Sequence, residues 1–151
     1  PEVYALRDKF GFPGMEVLQF AFGGGADNPY LPHNHRKTSV VYTGTHDNDT
    51  TLAWFENLSA EQQLQVVEYL GYPHEPMPWP LARAALASVS QLAIIPMQDI
   101  LGLGRGQRMN TPGVAEGNWS WRFGWEQIAP GLAERLRRMA RMYGRDAAGG
   151  K

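Results

Sequence analysis

Two short runs, Ser39-Val40-Val41-Tyr42-Thr43 and Leu92-Ala93-Ile94-Ile95-Pro96-Met97, constrain this chain more than any other feature. They are rich in β-branched and aliphatic residues, and the second is apolar throughout rather than alternating. A strand without a polar face needs cover on both sides, so Leu92–Met97 is expected to be buried on both faces. Met15-Glu16-Val17-Leu18-Gln19-Phe20 adds a third strand candidate. Helical patterns lie between the runs, which points to an α/β fold with a parallel sheet rather than to a sandwich.

The helical patterns carry their own punctuation. Pro1 to Phe10 reads as a helix with Val3, Leu6 and Phe10 on one face and Gly11 as its stop; Pro1 suits its first turn. A helix starting near Thr50 carries Leu52, Trp54 and Phe55, with Asn48 or Asp49 as its cap. Ser59-Ala60-Glu61-Gln62 has the form of a capping box, opening a helix that carries Leu64, Val67 and Leu70 and ends at Gly71. Pro80 opens a helix from Leu81 to about Ser90, and a last helix runs from about Pro130 to Tyr143. Residues 1–146 read as one segment, with 147–151 as a frayed tail.

Three parallel strands make an incomplete sheet, because a (β/α)8 barrel takes eight strands and roughly 250 residues. The chain has 151 residues and opens inside an element, so it reads as a piece of something larger. Its unpaired edges predict partial folding, oligomerisation or edge pairing when it stands alone.

Composition narrows the function. A formal charge of -1 favours neither nucleic acid nor a membrane surface as partner. Zero cysteines remove disulfides and thiol chemistry, and suit a cytoplasmic compartment. No apolar run approaches the ~20 residues of a membrane span. Gly 17 and Pro 11 exceed the ~12% that is usual for the pair, so loops are long or numerous.

The densest polar cluster is Thr45-His46-Asp47-Asn48-Asp49-Thr50, where a strand ends and its helix begins. In parallel α/β folds that edge holds the ligand. Helix capping accounts for Asp49 but not for His46 and Asp47, which precede the cap; a carboxylate beside an imidazole suits recognition of a polar ligand. Arg108 and Asn110, in the loop after the last strand, leave the sheet on the same side and are expected to face the same pocket. Asp99 and Arg108 fit a structural ion pair as well as a ligand contact. Gly102, Gly104 and Gly106 alternate, but neither nucleotide-binding glycine motif is present. Trp119 and Trp121 are both assigned to the core. His33 and His35 with His46 and Asp47 are a weak metal pattern, and a metal-dependent hydrolase ranks third among the readings.

The order of motifs then becomes specific. Gly14-Met15, Leu18-Gln19-Phe20-Ala21-Phe22, Asn28-Pro29-Tyr30-Leu31-Pro32-His33-Asn34, Tyr42-Thr43-Gly44-Thr45-His46-Asp47-Asn48-Asp49-Thr50, Arg108-Met109-Asn110-Thr111-Pro112-Gly113 and Gly117-Asn118-Trp119-Ser120-Trp121-Arg122 cover nearly the whole chain. Together they resemble the 4-α-glucanotransferases called amylomaltase or disproportionating enzyme, glycoside hydrolase family 77.

The resemblance implies the C-terminal part of a TIM (β/α)8 barrel, about its last three strands and helices. It implies transfer of α-1,4-glucan segments to glucose or maltooligosaccharides by a retaining double displacement, without a cofactor or metal. Asp47 matches the family's transition-state stabiliser, His46 a histidine on the same sugar ring, Phe20 an acceptor-side phenylalanine and Asn110 an asparagine near the cleavage point. The family's nucleophilic aspartate and acid/base glutamate lie upstream of the matched motifs, so this chain alone is expected to be inactive. Gly23 and Gly24 stand where some members carry acidic residues, which leaves the acceptor side open. The runner-up is a non-catalytic α-glucan-binding module.

Overall fold

The run at Ser39–Tyr42 is the middle strand of a three-stranded parallel sheet. The computed structural model describes residues 2–146; the roles expected for Pro1 and for the tail at 147–151 lie outside the described residues. The elements in chain order are α1 (Glu2–Lys9), β1 (Gly14–Val17), β2 (Ser39–Tyr42), α2 (Thr51–Asn57), α3 (Ala60–Tyr69), α4 (Trp79–Ala87), β3 (Leu92–Ile94), α5 (Met97–Ile100) and α6 (Leu132–Met142), with short 3-10 turns between some of them. The strand order is β1-β2-β3, all parallel.

The register sorts the side chains into two faces. Met15, Val40 and Leu92 are aligned, as are Val17, Tyr42 and Ile94, so these six share one face. Glu16, Val41 and Ala93 share the other. That second face carries the main core: Val41 is fully buried with Leu18, Leu81 and Ala85, and Phe22, Trp54 and Leu70 pack around them. On the first face Met15, Leu92 and Ile94 are exposed.

Several sequence expectations need correction. The first strand stops at Val17 rather than Phe20, because Leu18–Phe20 turns as a 3-10 helix that drops Leu18 into the core. The third strand covers only Leu92–Ile94 and is not buried on both faces: it lies at an open edge, and its Leu92 and Ile94 side chains have no covering layer among the described residues. Pro96 follows two residues later, lacking the N–H that would extend the strand, and occupies the N-cap position of the unforeseen α5. Helix α2 is capped by Thr50, whose hydroxyl accepts from the Ala53 amide, and not by Asn48 or Asp49. The capping box at Ser59 and Gln62 is present with both reciprocal bonds.

The basic last helix spends part of its charge inward. Arg135 lies 3.5 Å over the Trp79 ring and, with Arg83, donates to Glu75. Those two guanidiniums, Arg83 foremost, hold the Glu75 carboxyl below its usual range. Arg145 donates to the carbonyls of Leu86, Ser88 and Ser90, tying the end of α6 to the end of α4. Met139 fills the space between them with Trp79 and Ala82.

Near the N-terminal ends of the strands, buried His35 donates from Nε2 to the Tyr30 carbonyl, and its Nδ1 lies 2.6 Å from the Ser88 hydroxyl oxygen. Burial lowers its pKa; the Tyr30 bond opposes this, and His33 adds to it. A histidine whose folded pKa is depressed stabilises the fold above its unfolded value and loses that contribution as pH falls through the folded value. We expect the unfolding free energy to decline as pH drops below about 6.5. In His35→Gln that decline should be shallower in urea titrations across the same range; an unchanged slope would refute the assignment.

Candidate functional site

The loop between β2 and α2 is fastened at nearly every residue. Gly44 leaves room for the Gln19 amide, which donates to the Asp49 carbonyl: a Cβ there would lie 2.5 Å from it and push that side chain aside. The Asn48 side chain accepts from the amide and hydroxyl of Thr45, turning the chain back on itself. Asp49 accepts from the Thr50 amide, and the Thr50 hydroxyl donates to the Gly104 carbonyl.

His46 and Asp47 project from this loop, their side chains 53% and 51% exposed. Asp47 Oδ1 accepts from the Asn110 side-chain amide at 2.6 Å and lies 3.3 Å from His46 Nε2. Its Oδ2 accepts no hydrogen bond among the described residues. Arg108 donates to the Asp47 carbonyl at 2.7 Å and to the Asn110 carbonyl at 3.2 Å. The Asn110 amide donates to the His46 carbonyl, so the 44–50 loop and the loop after α5 are sewn together by main chain and side chain alike. Asp47 and His46 form part of the lining of a cleft of about 360 Å³ with Met15, Tyr42, Ile94 and Pro96, on the bare sheet face.

The structure therefore brings together His46, Asp47, Arg108 and Asn110. Phe20 belongs to a different set of contacts: half-exposed after the end of β1, it meets the edge of Tyr30 at 5.6 Å, and its carbonyl accepts from Asn28.

Three readings are corrected here. Asp99 is not an ion-pair partner of Arg108. It is 2% exposed, and accepts from the Thr43 hydroxyl at 2.6 Å and from the amide and hydroxyl of Thr51, both at 2.7 Å. Burial raises its pKa, and those threonine bonds pull against the rise. Arg108 instead has Asp49 3.9 Å away. Trp119 is not core: at φ 60 its left-handed backbone swings the ring outward, 57% exposed and 4.9 Å from the His46 ring. Trp121 is half-buried and donates to Gln107. Finally, both ring nitrogens of His33 and of His35 are engaged, with Tyr69, the Ala26 carbonyl, Ser88 and the Tyr30 carbonyl. Neither is free to join His46 on a metal.

Nothing in the sequence foretold the Asp99 clamp, since its partners lie about fifty residues away and threonines after a strand are common. Trp119 had a usable signal in the preceding Gly117-Asn118, residues that favour turns over extended chain.

A family model described as 4-alpha-glucanotransferase, glycoside hydrolase family 77, matches residues 1–127. The chain belongs to this family. Among curated family members, a 4-alpha-glucanotransferase of Synechocystis sp. is 52% identical over 96% of this chain. The chloroplastic/amyloplastic 4-alpha-glucanotransferase of Arabidopsis thaliana is 51% identical over 95% of it. The chain spans 29% and 26% of the lengths of those two relatives. Among solved structures, an amylomaltase from Streptococcus agalactiae in complex with acarbose superposes on 95% of the chain with a TM-score of 0.90, at 35% identity and over 30% of its own length. The amylomaltase likeness and the three-stranded parallel sheet establish an α/β architecture that matches only part of these longer family members. No helix among the described residues is long and apolar enough to cross a membrane.

Proposed function

We propose that this chain is the C-terminal segment of a 4-α-glucanotransferase, contributing about the last three strands and helices of a TIM (β/α)8 barrel and one wall of its glucan cleft. Residues 1–146 form that segment. Asp47 is the carboxylate that steadies positive charge on the glucosyl ring, His46 and Asn110 bind the same stretch of glucan, and Phe20 lines the acceptor side. The nucleophilic and acid/base carboxylates come from the rest of the barrel, so the isolated chain does not catalyse transfer. The substrates are α-1,4-glucans and maltooligosaccharides, with glucose as the smallest acceptor, and the setting is the cytoplasm. Neither metal nor organic cofactor takes part.

One observation carries this reading: the Asp47 carboxylate stands half-exposed at the C-terminal edge of the parallel sheet, with one oxygen held by Asn110 and the other without a hydrogen bond among the described residues. Such an anion is fixed before any ligand arrives, which lets it stabilise charge that develops during reaction without reorganising. The apolar sheet face at Met15, Leu92 and Ile94 also supports it, since a barrel interior would cover that face. Self-association of the isolated chain through the same face or the free strand edges follows from the same geometry.

The test is disproportionation. A protein joining this segment to an upstream portion like that of its relatives should convert maltotriose to glucose and longer oligosaccharides, equally well in chelator. The 151-residue chain alone should bind maltoheptaose without turnover. Absence of products from the longer protein would overturn the transferase reading, and dependence on a divalent cation would favour a metal hydrolase.

A further inference from the structure

We propose that Asp99 is a positioning residue: a single buried carboxylate that ties together both ends of the loop presenting His46 and Asp47. Its consequence for glucan binding rests on the function proposed above; its effect on the loop does not.

The loop leaves β2 at Thr43 and enters α2 at Thr51, and these two residues hold the carboxylate between them. Oδ2 accepts from both hydroxyls, at 2.6 and 2.7 Å, and Oδ1 accepts from the Thr51 amide at 2.7 Å. All three partners, Thr43, Thr51 and Asp99, are fully or almost fully buried. Seven residues, 44–50, are thereby closed into a ring whose entry and exit sit on one side chain. Bonds of this kind, from donors to a charged acceptor in a dry setting, are the stronger sort.

The other fasteners act differently. Arg108 and Asn110 grip the tip of the loop from a neighbouring loop, and both are at least partly exposed. Gln19 holds the Asp49 carbonyl from the β1 side. Among the described residues, Asp99 alone holds both sides of the loop with its side chain, and it comes from α5, just after β3. The spacing between β2, α2 and α5 is set at this one point, and the height at which Asp47 stands above the sheet is set with it.

Asp99 lies outside the cleft that Asp47 lines; a neighbouring cleft includes it with His46, Arg108 and Trp119, but both its oxygens are spent on Thr43 and Thr51, so its influence on Asp47 passes through loop geometry. That separates it from a residue that merely stabilises the fold. A merely structural residue, when lost, speeds exchange of amides everywhere through global unfolding; a positioning residue speeds it first where the loop opens.

The experiment is site-resolved amide hydrogen exchange on the intact chain, comparing wild type with Asp99→Ala, Asp99→Asn and Thr43→Val. In Asp99→Ala the amides of Asn48, Ala53 and Asn110, which are hydrogen-bonded within or onto the loop, should exchange about tenfold faster or more, while those of α3 and α6 keep their rates. Asp99→Asn keeps an acceptor for the Thr51 amide, and the two hydroxyls can reverse to accept from its NH₂, so it should recover most of the protection. Thr43→Val removes one donor without changing shape, and should give a smaller rise at the same amides even if Asp99→Ala fails to fold. Equal acceleration throughout the chain, or none at the loop, would overturn the proposal. Maltoheptaose affinity should fall in the order in which loop exchange rises. If wild type binds no maltoheptaose, the glucan reading fails, while the exchange pattern still decides the role of Asp99.

Discussion

Asp47→Asn should lower the rate of glucan transfer by about 10³-fold in the longer enzyme, with KM within a fewfold of wild type. The substitution is isosteric and leaves an oxygen to accept from Asn110, so the loop keeps its shape; what disappears is the negative charge. Charge placed where it is needed only in the transition state affects kcat and kcat/KM together, and removing one preorganised stabilising group typically costs ~10²–10³ in rate. Because Asp47 is half-exposed, its neutralisation should change stability by no more than about 0.5 kcal/mol. Steady-state kinetics on a maltooligosaccharide, beside a urea melt of the same variant, would check both halves. A variant that keeps more than about a tenth of the wild-type rate would remove Asp47 from the chemistry.

The second large effect is on the fold. Leu81→Ala should destabilise the chain by about 2–5 kcal/mol, since Leu81 is fully buried against Leu18, Val41 and Ala85, and deleting it leaves a cavity in the layer joining α4 to the sheet. Measured against a typical total of about 5–15 kcal/mol, that is a large share. Val41 lies in β2, the strand that delivers the His46–Asp47 loop, so the loss should also weaken ligand binding as the unfolded fraction grows. A urea unfolding curve gives the answer; a shift below about 1 kcal/mol would mean this cluster is not the core.

These expectations also mark what could be read from the residues alone. Helix starts were legible wherever a local rule sufficed: Ser59 with Gln62 makes its own capping box, and Pro80 sits in the first turn of α4. The His46–Asp47–Asn110 neighbourhood was legible because parallel strands send their following loops to one end. Burial of Leu92–Ile94 was misjudged, since apolarity tells what a residue would prefer to touch and not whether a covering layer is there. The capping role went to Thr50 because Asn48 and Asp49 were already engaged, with Thr45 and with the Thr50 amide. The Asp99 clamp is illegible for a related reason, since it depends on threonines brought close only by the sheet; at Trp119 the turn signal of Gly117-Asn118 outweighs the apolar ring, and the backbone is left-handed.

The most direct measurement is a structure of the longer enzyme with a maltooligosaccharide bound. The expected result is a glucosyl ring at the C-terminal edge of the sheet, with its hydroxyls within hydrogen-bond distance of Asp47 Oδ2 and His46. A sugar chain bound elsewhere on the surface, with Asp47 left facing water, would contradict it.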